Sequence, residues 1–154
     1  MYKIFNVNDY PMGVSECAKY IHSKWGSQEN FSYFENAMLN SSKQEESIPQ
    51  FYVLVNDNEI VGCFGLIIND FVSRHDLYPW FSSLFIEPEH RGNRLSKTMF
   101  EYAFKVVKSM GYRNLYLTTD HDGLYEKFGW VRIEDAYDPS GEVTRVYRKS
   151  LANA

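Results

Sequence analysis

Apolar residues near the amino terminus recur at helical spacing. In residues 14–25, five apolar side chains lie three or four positions apart: Val14, Cys17, Ala18, Ile21 and Trp25. This spacing places them on one face and predicts an amphipathic helix, which Gly26 can end. A shorter helix is predicted over residues 30–40, with one apolar side formed by Phe31, Phe34 and Met38. The polar residues 41–50 are predicted to form a loop.

The middle of the chain changes to a pattern typical of β-strands. Two runs rich in β-branched and aromatic residues, 51–55 and 59–68, flank an Asn-Asp-Asn sequence at 56–58. This arrangement predicts an antiparallel hairpin. A further strand is predicted between Pro79 and Pro88, because proline confines a strand at its ends.

Helical spacing returns at Leu95 and continues until Gly111, which can end a helix. The predicted apolar face consists of Leu95, Met99, Tyr102, Ala103, Val106, Val107 and Met110. The remaining residues predict a strand, a short helix ending at Gly129 and two closing strands; their ranges are 114–119, 123–130, 131–138 and 142–149. With an optional first strand over residues 2–7, this order predicts a mixed α/β fold with an antiparallel first half.

Length and composition narrow the class of protein. A chain of 154 residues suits one compact domain over residues 1–154, and no linker divides it. No run approaches the roughly 20 apolar residues of a membrane span, and the amino terminus lacks the apolar core of a signal peptide. These features predict a cytoplasmic protein without membrane contact. The net charge of −4 argues against nucleic acid as a partner.

Cysteines and histidines give no metal-ligand spacing. Cys17 and Cys63 are predicted to be reduced, packed thiols. The four histidines are scattered: His22, His75, His90 and His121. The run 120–122 (Asp-His-Asp) is better explained as a turn in which Asp122 caps the following short helix. We therefore predict no metal site.

Candidate chemistry lies where the third predicted strand ends and the long helix begins. Arg91, Gly92, Asn93 and Arg94 occupy this junction. The first backbone N–H groups of a helix have no acceptor within the helix, so such a junction can bind an anion. A solvated basic turn explains these four residues equally well.

The segment LFIEPEHRGNRLS at residues 84–96, followed by LYEKFGW at 124–130, resembles the GNAT acyltransferase superfamily. The resemblance covers most of the chain. It implies a mixed, mostly antiparallel central sheet flanked by about four helices. It also implies binding of acetyl-CoA and transfer of the acetyl group, usually to a primary amine. The family often forms dimers, so a homodimer is left open.

The same resemblance implies two groups of donor-binding residues. The CoA pyrophosphate would lie on Arg91, Gly92, Asn93, Arg94, Leu95 and Ser96. The pantetheine arm would pair with the backbone of Leu84, Phe85 and Ile86, whose side chains are expected in the core. The chain departs from the family pattern at Arg94 and Ser96, where small residues are usual. A side chain in left-handed geometry costs about 1–2 kcal/mol, so the loop either avoids that geometry or carries strain.

The resemblance assigns Tyr125 as the acid that protonates the departing CoA thiolate, a role that suits a phenol with a pKa of about 10. Some family members use a glutamate in the strand before the loop as the base that takes the amine proton. In this chain that position falls on or near Trp80, which is not a carboxylate. The proton acceptor is left open among Asp70, Asp76, Asp120, His121 and a chain of water molecules. Because neither cysteine lies in the two motifs, direct attack in a ternary complex is expected.

Acceptor-binding residues are expected in the first helices and in the loops around the hairpin. A small cationic amine could be held there by aromatic and acidic side chains: Trp25, Phe31, Tyr33, Phe34, Phe71, Tyr78, Trp80, Glu29, Glu35, Asp70 and Asp76. The alternatives are a protein N-terminal or lysine acetyltransferase and a non-catalytic acyl-CoA-binding or regulatory domain. A nucleotide-phosphate binder is disfavoured, because the loop lacks the P-loop pattern.

Overall fold

The computed structural model describes residues 1–27, 29–41 and 47–151. Half of the predicted loop over 41–50, residues 42–46, therefore lies outside the described residues. Within them, the elements follow the predicted order and include the optional first strand. They are β1 (Tyr2–Asn6), α1 (Val14–Trp25), α2 (Phe31–Leu39), β2 (Gln50–Asn56), β3 (Glu59–Ile67), β4 (Trp80–Ile86), α3 (Leu95–Ser109), β5 (Asn114–Thr119), β6 (Val131–Tyr137) and β7 (Val143–Ser150).

The strands form one mixed sheet in the order β1-β2-β3-β4-β5-β7-β6. β1 pairs with β2, β5 with β7, and β6 with β7, all antiparallel, whereas β4 and β5 are parallel. This confirms the predicted mixed, mostly antiparallel sheet. The described chain has three α-helices rather than about four. The last predicted helix is a 3₁₀ turn over Tyr125–Phe128, because Gly123 and Gly129 on either side have left-handed backbones.

Contacts group the chain into two compact units. The first comprises Met1–Gly65 and Ser83–Met99, and the second comprises Leu66–Ser82 and Phe100–Ala154. In the first unit, the predicted face of α1 is buried through Cys17, Ala18 and Ile21. Trp25 departs from that prediction, since it is 51% exposed at the last residue of the helix.

The β2–β3 hairpin in the first unit is confirmed. Asp57 and Asn58 both have positive φ, as a tight two-residue hairpin turn requires. Aspartate and asparagine accept this geometry more readily than other non-glycine residues. The local sequence thus explains where the chain reverses.

The second unit contains β5, β6 and β7 and most of α3. One core cluster consists of Val72, Trp80, Tyr116, Ala136 and Val146. On α3, Phe100 is buried, whereas Tyr102 is 36% exposed, so the apolar face is rotated from the predicted one. Gly111 ends the helix as predicted, with φ of 94° and a 3.3 Å hydrogen bond from Tyr112 N–H to the Val107 carbonyl.

No helix in the described ranges is both long and apolar enough to cross a bilayer.

Candidate active site

β4 contains a backbone irregularity at its midpoint. Ser83 has φ of 57° within the strand, and its carbonyl accepts a 3.3 Å hydrogen bond from the Cys63 thiol. Positive φ at a non-glycine residue costs about 1–3 kcal/mol and is concentrated at functional sites. The three predicted pantetheine-pairing residues follow directly. Ile86 is buried as expected, whereas Leu84 and Phe85 are only half-buried, so the core prediction is wrong for those two.

Arg91 fixes the exit of the chain from β4. Its Nε donates a 2.8 Å hydrogen bond to the Ile86 carbonyl, and its guanidinium lies 5.4 Å from the Phe85 ring centre. Its backbone N–H donates to the Pro88 carbonyl across a 3₁₀ turn over Pro88–His90. Arg91 therefore braces the loop through a side chain that stays largely exposed.

The loop carries strain rather than avoiding left-handed geometry. Gly92 has φ of 87° and Arg94 has φ of 57°. The Arg94 carbonyl accepts the Thr98 N–H at 3.2 Å, so Arg94 stands immediately before α3. Beyond it, the first N–H groups of α3, beginning at Leu95 and Ser96, have no acceptor within the helix. This junction offers backbone donors to an anion, and Arg94 adds a positive charge beside them.

A cluster of hydrogen bonds connects α1 to the start of this loop. The carboxylate of Glu87 accepts hydrogen bonds from the Tyr20 hydroxyl at 3.0 Å and from Lys24 Nζ at 2.9 Å. Lys24 also lies 4.9 Å from the Phe85 ring centre. Burial disfavours ionisation of Glu87, but the bonds from Lys24 and Tyr20 outweigh it and lower the pKa of this carboxyl. Sequence reasoning missed this cluster, in which Glu87 lies 67 positions from Tyr20 and 63 from Lys24.

Tyr125 lies in the second unit, at the first position of its 3₁₀ turn. Its ring packs against Phe100 and Tyr147, each at 5.9 Å between ring centres. Burial raises the pKa of the phenol, and a hydrogen bond with Thr119 opposes part of that rise. The phenol therefore stays protonated well above neutral pH. Leu124 precedes the turn without a side-chain cap, so the predicted capping by Asp122 is wrong.

The four candidate proton acceptors differ sharply in environment. Asp76 pairs with Arg74 at 2.8 Å, and that hydrogen bond lowers the pKa of Asp76 to about 2, which makes it a weak base. Asp120 and His121 are exposed. Asp70 is partly buried and accepts hydrogen bonds from Ser82 and Thr118.

Trp80 is the first residue of β4. Its indole is buried and donates a 2.6 Å hydrogen bond to the Leu77 carbonyl. Trp80 is therefore a core residue rather than an acceptor-binding aromatic. Among the other aromatic residues predicted to bind an acceptor, those with large exposed surfaces are Trp25, Tyr33, Phe71 and Tyr78.

Both thiols are buried and unpaired by disulfide. Burial raises the pKa of Cys17 to about 12, and it also raises the pKa of Cys63. Because the thiolate is the nucleophilic form, these environments keep both cysteines unreactive at neutral pH.

The first unit also contains an open pocket of about 710 Å³ beside α1 and the hairpin. None of the residues predicted for the donor site lines it. Its lining residues are Phe5, Tyr10, Pro11, Met12, Glu16, Lys19, Tyr20, Val55, Asn58, Glu59 and Ile60. In the part of the chain that the structure describes, no group of three His, Cys, Asp or Glu side chains is placed to hold a metal ion.

Comparison with known proteins adds the family context. A family model described as the acetyltransferase (GNAT) family matches residues 14–130. A GNAT-family protein from Desulfovibrio desulfuricans has 12% identity and a TM-score of 0.71, with 99% of this chain and 100% of that chain covered. No curated protein sequence matches this chain.

Two further solved structures share the fold. An aminoglycoside 6'-N-acetyltransferase complexed with coenzyme A has 17% identity and a TM-score of 0.69, with 98% and 97% of the two chains covered. A spermidine N-acetyltransferase chimera that includes Vibrio cholerae sequence has 16% identity and a TM-score of 0.68, with 98% and 96% covered. At these identities the likeness establishes a common fold.

Proposed function

Because the chain belongs to the GNAT family of acetyltransferases, we propose that it transfers the acetyl group of acetyl-CoA to a primary amine of a small molecule. The observation that carries the proposal is the loop over residues 91–96. Its left-handed Gly92 and Arg94 turn the chain into α3, and the first backbone N–H groups of a helix have no acceptor within it and can bind phosphate.

The donor-binding residues suit acetyl-CoA. A Cβ built on Gly92 would meet no atom within 4 Å, so this face of the loop is open. Arg91, Gly92, Asn93, Arg94, Leu95 and Ser96 would hold the pyrophosphate. The backbone of Leu84, Phe85 and Ile86 would pair with the pantetheine arm. A related fold is known in complex with coenzyme A. Acetyl-CoA supplies an activated acyl group with a thiol leaving group.

Tyr125 acts in this proposal as the acid for the departing thiolate. Burial keeps its phenol protonated, as an acid must be before the reaction. The unreactive state of Cys17 and Cys63 favours direct attack by the amine over an acyl-cysteine intermediate.

A small amine is the preferred acceptor, since structures of similar fold include aminoglycoside and spermidine N-acetyltransferases. Exposed aromatic side chains such as Phe71 and Tyr78 suit a cation. The second candidate function is a non-catalytic acyl-CoA-binding domain. Strain at Arg94 and the core role of Trp80, where some relatives carry a base, favour it.

Calorimetric titration with acetyl-CoA, with NADPH and ATP as controls, tests the donor site. We expect micromolar binding of acetyl-CoA alone. Thiol release is then measured with spermidine, kanamycin and a peptide with a free N-terminus. Transfer to either small amine supports the proposal, and transfer to the peptide alone identifies a protein acetyltransferase. Binding without transfer identifies the non-catalytic domain, whereas no binding removes the acyl-CoA function.

A further inference from the structure

Two neighbouring threonines at the end of β5 hold two ionisable side chains. Thr118 Oγ1 donates a 3.3 Å hydrogen bond to Asp70 Oδ2, and Thr119 is hydrogen-bonded to Tyr125. Successive side chains of a strand point to opposite faces of a sheet. Asp70 and Tyr125 therefore approach the end of β5 from opposite faces.

The packing of β7 against β5 agrees with this assignment. Thr118 lies opposite Val146, and Leu117 lies opposite Tyr147. Val146 belongs to the core cluster on the Thr118 face, whereas Tyr147 contacts the Tyr125 ring. The two faces are thus distinguished by their own neighbours as well as by strand geometry.

The carboxylate of Asp70 bridges the parallel strands β4 and β5. Trp80 lies opposite Tyr116 in their register, so Ser82 and Thr118, two residues further along, occupy the same face. Ser82 Oγ donates to Asp70 Oδ1 at 3.0 Å. Each carboxylate oxygen therefore has one hydroxyl donor, one from each strand.

The loop that carries Asp70 is held in a strained conformation. Phe71 has φ of 55°, a genuine outlier for a bulky residue. The Asn69 side chain donates to the Val72 carbonyl at 2.9 Å and accepts the Val72 N–H at 3.2 Å. These bonds fix the backbone on both sides of Asp70, which is the arrangement expected of a positioned functional group.

The described contacts give Asp70 no cationic partner. Its donors from β4 and β5 are neutral hydroxyls. On its own loop, Arg74 pairs with Asp76 and with Glu134 of β6. Burial raises the pKa of the Asp70 carboxyl, and the bonds from Ser82 and Thr118 offset only part of that rise. Asp70 is therefore a stronger proton acceptor than an ordinary aspartate.

We propose that Asp70 is the proton acceptor for the attacking amine, with Tyr125 as the proton donor on the opposite face of the β5 end. This inference rests on the acetyl transfer proposed above. The ammonium group of the acceptor gives one proton to Asp70. The freed lone pair then forms the N–C bond to the acetyl carbon as the C–S bond breaks.

The remaining protons balance. Tyr125 gives its proton to the departing thiolate, and the second proton lost by the nitrogen restores the phenol. Asp70 releases its proton to solvent. An alkylammonium ion and acetyl-CoA thus yield an amide, the CoA thiol and one proton.

Asp70→Asn is the test, with Glu142→Gln as the control, since Glu142 is an exposed carboxylate on the turn between β6 and β7. We measure kcat/KM for spermidine and kanamycin from about pH 6 to about pH 10. At neutral pH, Asp70→Asn should lower kcat/KM by at least about 100-fold, because the variant can use only the free-amine fraction of the acceptor. The deficit should shrink as pH rises, since the amine then loses its proton in solution. Glu142→Gln should keep kcat/KM within about twofold of wild type at every pH.

Acetyl-CoA affinity, measured by calorimetry, separates chemistry from folding. Unchanged affinity together with a pH-dependent loss supports the proposal. An equal loss at every pH indicates a structural role for Asp70 and overturns it, as does wild-type activity. If wild type transfers to no amine, the small-amine proposal itself fails and this inference falls with it.

Thr118→Val provides a second variant should Asp70→Asn fail to fold. Its hydroxyl stabilises the ionised carboxylate, so its removal should raise the pKa of Asp70. The acid limb of the rate profile should move to higher pH by a fraction of a unit or more. An unmoved limb would exclude Asp70 as the titrating base.

Discussion

Arg94 holds a left-handed backbone in the loop that begins α3. Glycine is the residue that accepts this geometry without steric cost. The chain instead places a positive charge there, at the start of α3. Strain that survives at a candidate phosphate site suggests that the side chain contributes to binding.

Arg94→Gly should therefore separate stability from binding. Relief of strain exceeds the added chain entropy, so the free energy of unfolding should rise by about 0.5–1 kcal/mol. Loss of the charge should weaken acetyl-CoA binding by about tenfold. Urea unfolding and calorimetry measure the two effects.

Asn93→Gly is the control, since Asn93 is exposed and its φ is not positive. It also donates a 3.0 Å hydrogen bond to the His90 carbonyl. Replacement should lower stability, and acetyl-CoA affinity should fall less than in Arg94→Gly, because the backbone N–H groups stay and no charge is removed. A stability gain in both variants would contradict the strain interpretation.

Tyr125→Phe should lower kcat by about 100-fold while acetyl-CoA affinity stays close to wild type. The phenylalanine keeps the ring contacts with Phe100 and Tyr147 and removes only the proton. Tyr137→Phe, an exposed tyrosine on β6, is the matched control and should not change the rate. Undiminished turnover in Tyr125→Phe would remove this residue from the mechanism.

The contact between α1 and the end of β4 links two segments that hydrophobic spacing treats as separate. Lys24 and Tyr20 come from one turn of α1, and both bind Glu87. Spacing predicted the helix and the strand, because each pattern is local. It could not predict that a lysine beside the apolar face of α1 would pair with a residue 63 positions away.

This ion pair predicts a pH-dependent stability. The pKa of Glu87 is lowered in the fold, so its contribution is present above its ordinary range near 4.5 and is lost as pH falls through the folded value. Glu87→Gln should flatten the stability profile below about pH 5, measured by urea unfolding. The exposed neighbour variant Glu89→Gln should keep the wild-type slope. Equal slopes for wild type and Glu87→Gln would contradict the prediction.

Binding of acetyl-CoA should stabilise the whole protein by mass action. At a ligand concentration about 100 times Kd, the gain is about 2.7 kcal/mol, which corresponds to a rise in Tm of roughly 5–10 °C. NADPH at the same concentration should give no rise. Equal shifts with both ligands would indicate unspecific anion binding.

Local patterns were sufficient for most of the architecture. The hairpin turn, the end of α3 at Gly111 and the loop over 91–96 all depend on neighbouring residues, whose preferences act within a few positions. The resemblance then supplied the family, and with it the predicted donor and the predicted role of Tyr125. Where the local pattern was wrong, as for Tyr102 and Phe100 on α3, the core packing of the helix decided which side chain was buried.

The proton acceptor could not be chosen from the sequence. The sequence does not distinguish among the four candidates Asp70, Asp76, Asp120 and His121, because ionisation depends on burial and on partners that are distant in the chain. Folding pairs Asp76 with Arg74 and places Asp70 between Ser82 and Thr118, 12 and 48 positions away. Spacing along a chain fixes which face a side chain occupies. The pKa of that side chain follows from the groups that folding brings against it.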